Sequence, residues 1–108
     1  MGGCSSNPPE QNMQEIIKEK AINFALSEGQ KYYAEKVRNN ELYKSVEDPK
    51  VVSIEVMEDK YCDIRCCVNV VYVIAGEAMI TDVYYEMRLE YDRTNDSLSI
   101  ITQRFYGF

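Results

Sequence analysis

Four cysteines carry the most reactive side-chain atoms of this 108-residue sequence, and three of them, Cys62, Cys66 and Cys67, fall on one predicted strand. Cys62 and Cys66 are four residues apart, about 13 Å along a strand, which is beyond the reach of a disulfide or a shared metal ion. The sequence has no histidine, so a nucleophilic thiol lacks its usual base and a zinc site lacks a full ligand set. We therefore expect small buried apolar residues at these positions, with no metal and no cofactor.

A second set of reactive residues shares the outer face of two neighbouring predicted strands. The set combines guanidinium, amide, carboxylate and phenol groups: Arg65 and Asn69 on one strand, and Asp82, Tyr84, Glu86 and Arg88 on the next. Paired carboxylates can carry acid–base chemistry, and the same residues also fit an ordinary solvated sheet face with cross-strand charges. We expect no enzyme activity, and we take this set as the candidate binding surface.

One long helix should pack against the opposite side of that sheet. Apolar residues recur at helical spacing between about residues 11 and 40, in two adjoining stripes. One stripe consists of Ile22, Leu26, Gly29, Tyr33 and Val37. The other consists of Met13, Ile17, Ala21 and Phe24. Such a wide apolar arc predicts a helix that is wrapped by its sheet. Glycine in mid-helix costs about 1 kcal/mol relative to alanine, so a bend or break near Gly29 is expected.

From Lys50 onward, apolar residues alternate with other residues, as they do in β-strands. Gly76-Glu77 fits a two-residue hairpin turn. This turn predicts the apolar cross-strand pairs Ile64–Leu89, Cys66–Met87, Val68–Tyr85, Val70–Val83 and Ile74–Met79. A turn at residues 94–96 leads to a last strand. The sequence thus predicts a polar tether at 1–10 and one α+β domain at 11–108, with a long N-terminal helix packed on a four-stranded antiparallel β-meander.

This order of one helix and then four strands resembles the cystatin-like and nuclear-transport-factor-like α+β folds. Val73-Ile74-Ala75-Gly76 invites comparison with the Gln-x-Val-x-Gly loop of cystatin protease inhibitors. In that family the loop joins the first two strands after the helix, where this chain has Glu58-Asp59-Lys60. Tyr72 also stands where the motif begins with glutamine. Protease inhibition is therefore not expected.

The stretch Gly3-Cys4-Ser5-Ser6-Asn7 resembles the start of a mature bacterial lipoprotein. The resemblance implies that Cys4 carries diacylglycerol and that the polar residues up to Pro9 tether the domain, although the hydrophobic signal segment that precedes such a cysteine is absent. A second pattern also fits. Met1-Gly2-x-x-x-Ser6 matches N-myristoylation, which would place myristate on Gly2 and palmitate on Cys4.

Composition narrows the possible partners. The net charge is −6 and the acidic residues are spread along the chain, so a nucleic-acid surface, which needs clustered lysine and arginine, is not expected. We expect a non-catalytic, membrane-tethered domain at the bacterial cell envelope that binds a protein or a small ligand. Three alternatives stay open: a myristoylated protein on the cytosolic leaflet of a eukaryotic membrane, a small enzyme or ligand-pocket protein using the outer-face carboxylates, and an acidic immunity or antitoxin-like protein.

Overall fold

A computed structural model describes residues 9–107, with side chains from Met13 onward. One helix and four strands follow one another: α1 (Pro9–Arg38), β1 (Tyr43–Met57), β2 (Tyr61–Ile74), β3 (Glu77–Asp92) and β4 (Ser97–Phe105). The strands form one antiparallel sheet in chain order. The predicted α+β architecture is therefore confirmed, while the predicted lipidation sites Gly2 and Cys4 lie outside the described residues.

The buried face of α1 repeats every four residues. Its fully buried members are Ile17, Ala21, Ala25, Gly29 and Tyr33. Because a helix has 3.6 residues per turn, a four-residue spacing rotates the buried line by about 40° at each step. The line therefore winds around α1. Both predicted stripes contribute to this contact, and Ala25 is the central member that the apolar pattern did not identify.

Gly29 is a contact position within an unbroken helix, since α1 runs through it to Arg38. A Cβ atom built at Gly29 would lie 1.9 Å from Cζ of Tyr85 on β3, so only glycine leaves room for that ring. The Tyr85 hydroxyl donates a 2.8 Å hydrogen bond to the carbonyl oxygen of Ala25, one turn earlier on α1. The glycine thus permits the closest approach of helix and sheet, and it does not interrupt the helix.

The β2–β3 hairpin turns at Ala75-Gly76, and the prediction of a turn at Gly76-Glu77 was wrong. Both central residues have positive φ, 54° at Ala75 and 82° at Gly76, as a type I′ turn requires. The true register differs by two residues, so that Cys66 lies opposite Tyr85 and Val68 opposite Val83. A two-residue shift leaves every side chain on its own face, which is why the apolar pattern could not separate the two registers.

β1 begins at Tyr43, earlier than the predicted start near Lys50. The pairing with β2 shifts between Glu47 and Lys50, where Asp48 has a φ of 56° and Pro49 has no N–H to donate. A bulge of this kind accommodates proline on an edge strand. The strand therefore continues through Asp48-Pro49 rather than starting after it.

The core lies between α1 and the inner face of the sheet, and the described residues include no buried polar or charged side chain. Aromatic rings pack against this core, where the partly buried Phe105 stacks on Tyr32 with 3.9 Å between ring centroids. The Tyr33 hydroxyl lies 2.7 Å from the carbonyl oxygen of Tyr106 and 3.1 Å from that of Tyr84, and it donates its proton to this pair. The helix is thereby joined to the end of β4.

Replacing Gly29→Ala should destabilise the domain even though alanine is the better helix former. The added methyl overlaps the Tyr85 ring, and overpacking of a close-packed core costs about 1–3 kcal/mol. The exposed Ser27→Ala variant on the same helix is the matched control, which should gain a few tenths of a kcal/mol from helix propensity. Urea unfolding of both variants measures the difference. A Gly29→Ala protein as stable as the wild type would contradict the close contact.

Candidate functional site

The six predicted surface residues lie together on the outer face of the sheet, opposite α1. Side chains alternate between the two faces of a strand, and the β2–β3 register sets the outer residues opposite one another. The cross-strand neighbours are Asp63 and Arg88, Arg65 and Glu86, Cys67 and Tyr84, and Asn69 and Asp82. The structure thus confirms that the six residues share one face of adjacent strands. The register of these strands differs by two residues from the predicted one.

An open groove of about 820 Å³ crosses this outer face between β1 and β4. Its charged lining consists of Glu55, Asp63, Arg65, Glu86, Arg88 and Arg104. Arg65, Glu86 and Arg88 were predicted, whereas Asn69, Asp82 and Tyr84 do not line the groove. The candidate set therefore divides into residues that line the groove and residues that lie beyond it towards the hairpin turn.

Sequence reasoning missed Glu55, Asp63 and Arg104. Asp63 carried a usable signal, because it alternates with Arg65 and therefore lies on the same face of β2. The position of Arg104 could not be predicted from the sequence, because it lies opposite Glu86 only in the observed β3–β4 register. That register shifts at a bulge between Arg88 and Leu89.

Asp63 and Arg88 form a bidentate ion pair across β2 and β3. Nε and Nη2 of Arg88 donate to Oδ1 and Oδ2 of Asp63 at 2.7 and 2.8 Å, the two-bond geometry that guanidinium and carboxylate groups share. These hydrogen bonds lower the pKa of the Asp63 carboxyl below its usual value. The pair fixes the direction of both side chains in the floor of the groove.

Aromatic residues contact two further charged groups of the groove, Glu86 and Arg65. The Tyr106 hydroxyl donates a 2.8 Å hydrogen bond to Oε2 of Glu86. The guanidinium carbon of Arg65 lies 5.5 Å from the centroid of the Tyr84 ring, within the range of a cation–π contact. Four charged groups of the groove, of both signs, are therefore oriented by their neighbours: Asp63, Arg65, Glu86 and Arg88.

Asn69 marks the end of this charged region. Its Nδ2 lies 3.5 Å from Oδ2 of Asp48, at the limit of a hydrogen bond. Its Oδ1 is buried without a hydrogen-bond partner among the described residues. Beyond Asn69 the outer face becomes apolar, with Val71 opposite Ile80 and Val73 opposite Ala78.

The three strand cysteines are buried, as predicted. Burial raises the pKa of Cys62 to about 11 and also raises the pKa values of Cys66 and Cys67. At neutral pH these groups are thiols rather than nucleophilic thiolates. In the part of the chain that the structure describes, no group of three or more His, Cys, Asp or Glu side chains could hold a metal ion.

Comparisons of this chain with protein-family models, with curated proteins and with solved structures gave no match. The cystatin-like and nuclear-transport-factor-like resemblance thus stays a prediction that rests on element order. Within residues 9–107, no helix is both long enough and apolar enough to span a bilayer. The geometry of the outer face is accordingly the basis for a functional proposal.

The Asp63–Arg88 pair should contribute stability only above the pH at which Asp63 is protonated. Its pKa is lower in the folded than in the unfolded chain, so the contribution is complete above the unfolded value near 4 and disappears as pH falls through the folded value. An Asp63→Asn variant should therefore unfold at lower urea than the wild type at pH 7, by the small amount typical of exposed pairs.

The two urea midpoints should converge as the pH approaches 2.5. Arg88→Met should behave in the same way, and the double variant should lose little more than either single one, because both substitutions remove one interaction. A difference between wild type and Asp63→Asn that is equal at pH 7 and pH 2.5 would show that the ion pair is not its cause.

Proposed function

We propose that this protein is a non-catalytic binding domain that a lipid on Cys4 holds at a membrane, as in a bacterial envelope lipoprotein. The observation that carries the binding half is the outer face of the sheet, which none of the described residues covers and where arginine and carboxylate groups line one groove. The membrane half rests on the residues Gly3-Cys4-Ser5-Ser6-Asn7.

The make-up of the outer face favours a protein as its partner. Arginine and tyrosine are enriched in protein–protein interfaces, and here Arg65 and Tyr84 are in contact. Side chains that are already held in place lose less conformational entropy on binding, and the Asp63–Arg88 and Glu86–Tyr106 contacts provide that order. Charges of both signs in the groove suit a polar partner surface whose charges are also mixed.

A small polar ligand is the second candidate for the same groove. Its volume of about 820 Å³ falls within the range of about 300–1,000 Å³ that ligand sites occupy. An enzyme using Asp82, Tyr84, Glu86 and Arg88 is less well supported, because only Glu86 and Arg88 of that set line the groove. Glu86 already accepts a hydrogen bond from Tyr106.

The tether would hold the domain close to the bilayer. Four residues, Ser5 to Pro8, separate Cys4 from the start of α1 at Pro9, a span of at most about 18 Å when fully extended. The membrane-facing end would then be the N-terminal end of α1. Lys20, about 16 Å further along the helix from Pro9, pairs with Asp96 in the β3–β4 turn at 3.2 Å, so this turn would lie on the same side of the domain. The β2–β3 turn would lie at the distal end.

Anchoring is tested on the protein produced from its own gene in its own host. In detergent phase partition, the wild type and a Gly2→Ala variant should enter the detergent phase, while Cys4→Ser should stay in the aqueous phase. Intact mass should show diacylglycerol on Cys4 and the loss of residues 1–3. An aqueous wild type would refute the membrane tether, and loss of anchoring in Gly2→Ala with myristate on Gly2 would establish the eukaryotic alternative.

Binding by the groove is tested by charge reversal with a matched control. Arg65→Glu combined with Arg104→Glu changes two exposed groove residues, and Lys31→Glu combined with Lys44→Glu makes the same charge change at exposed positions outside the groove. Proteins crosslinked to the wild type in host membranes should also be recovered with the control and should fall at least tenfold with the groove variant. Equal recovery with both variants, at equal urea midpoints, would place binding elsewhere.

A further inference from the structure

Arginine side chains are concentrated in the groove on the outer face of the sheet. The sequence contains five arginines and seven lysines, all within the described residues, and three of the arginines but none of the lysines line the groove. The three are Arg65, Arg88 and Arg104. A guanidinium presents its N–H donors in a planar fork that matches a carboxylate or phosphate, whereas a lysine ammonium is a point charge. The use of arginine therefore favours recognition of an oxyanion.

The three arginines differ in whether a carboxylate of the chain neutralises them. Arg88 is engaged by Asp63 through two hydrogen bonds of 2.7 and 2.8 Å. The ion pairs of the described residues include neither Arg65 nor Arg104. Both of these arginines are exposed, so their positive charges are accessible to a ligand.

A tyrosine lies beside each of these two arginines. The guanidinium carbon of Arg65 is 5.5 Å from the centroid of the Tyr84 ring. A hydrogen bond with the Tyr106 hydroxyl raises the pKa of the Arg104 guanidinium above its usual value. A phenol is neutral at pH 7, so it contacts a guanidinium without cancelling its charge. Both arginines thus remain fully charged in their places.

Arg65 and Arg104 belong to one row of side chains across the sheet. Arg65 on β2 lies opposite Glu86 on β3, which lies opposite Arg104 on β4. Two strand spacings separate the arginines by about 10 Å on the same face. Because arginine side chains are long, both guanidinium groups can reach one ligand group from opposite sides.

The charges of the groove are divided between this row and the next one. The first row has two arginines and one glutamate, a net charge of +1. Its partly buried Glu86 already accepts a 2.8 Å hydrogen bond from Tyr106. The next row contains Glu55, Asp63 and Arg88, a net charge of −1. A ligand carboxylate is therefore attracted to the first row and repelled by the second.

We propose that the groove binds an acidic segment of its protein partner, with a carboxylate of that segment held between Arg65 and Arg104. This inference rests on the proposed binding role of the groove and specifies its chemistry. The carboxylate accepts hydrogen bonds from both guanidinium groups, and the charge of Glu86 opposes its binding. A basic side chain of the same partner fits beside Glu55 in the second row.

The net charge of the first row favours a carboxylate over a phosphate. A carboxylate has one negative charge, which a net charge of +1 balances. A phosphate monoester has a charge of about −1.5 to −2 at pH 7, and its excess negative charge would lie next to Glu86. The acidic segment is therefore the better match.

Peptide binding to the full-length chain tests the carboxylate site. The probe is a short oligoglutamate peptide at about 0.15 M salt, where charges more than about 8 Å apart are largely screened. This salt limits repulsion by the acidic residues outside the groove. NMR spectra follow the side-chain Nε–H signals of the arginines. We expect the signals of Arg65 and Arg104 to shift with added peptide, and those of Arg38 and Arg93 to stay in place.

A double variant tests the two arginines together. Arg65→Gln combined with Arg104→Gln should weaken peptide binding about tenfold or more, because charge-assisted hydrogen bonds are lost. Arg38→Gln combined with Arg93→Gln is the matched control, since it removes the same charge from exposed positions outside the groove. The control should change the dissociation constant by less than about twofold, because distant charges are screened. Equal weakening by both double variants would overturn the proposal.

Replacing Glu86→Gln should have the opposite effect and strengthen peptide binding severalfold. The change removes the competing negative charge, while the amide oxygen can still accept the hydrogen bond from Tyr106. Glu41→Gln makes the same change of charge at an exposed position outside the groove and should leave binding unchanged. Tighter binding cannot result from partial unfolding. Unchanged or weaker binding in Glu86→Gln would contradict a carboxylate beside this residue.

The peptide experiment and the recovery of crosslinked partners distinguish this inference from the proposed function. If the peptide leaves the Arg65 and Arg104 signals in place while charge reversal still abolishes recovery, the groove binds its partner by other chemistry and only this inference is wrong. If the signals shift but recovery is unaffected by charge reversal, the proposed binding role fails, and the acidic partner segment with it. Inorganic phosphate that shifts these signals where oligoglutamate does not would overturn the carboxylate class.

Discussion

The contact between Tyr85 and the backbone of α1 is the constraint on which the rest of the fold depends. The ring occupies the space of a Cβ at Gly29, and its hydroxyl donates to a carbonyl oxygen inside the helix. Burial raises the pKa of that hydroxyl above its usual value, so it remains a donor. Phe105 stacks on the same ring with centroids 5.4 Å apart, which brings β4 into the same cluster.

One helix is present in the described residues and covers one face of the sheet, so the opposite face with its charged groove stays open. Part of one sheet edge stays open for a different reason: β4, with nine residues, is shorter than β3, with 16 residues, and its pairing with β3 begins at Tyr85. The groove and this edge are therefore two separate surfaces with separate causes.

Much of the fold followed from periodicity, because alternation and helical spacing report which side of an element is buried. The same information assigned Arg65, Asn69, Asp82, Tyr84, Glu86 and Arg88 to one face correctly. It could not determine which residues are neighbours, since the alternative registers preserve every face. Gly29 was misread for a similar reason: helix propensity is local, whereas the Tyr85 ring that requires a glycine lies 56 residues away in the chain.

The most direct test of this account is the proton NMR spectrum of the Gly29–Tyr85 contact. With the Tyr85 ring against its Cα, Gly29 should show strong nuclear Overhauser effects from its Hα protons to the ring protons of Tyr85. Its Hα resonances should also be displaced by the ring current, and both effects should vanish in Tyr85→Leu. Gly29 Hα protons at ordinary shifts, without contacts to Tyr85, would mean that the helix lies elsewhere on the sheet.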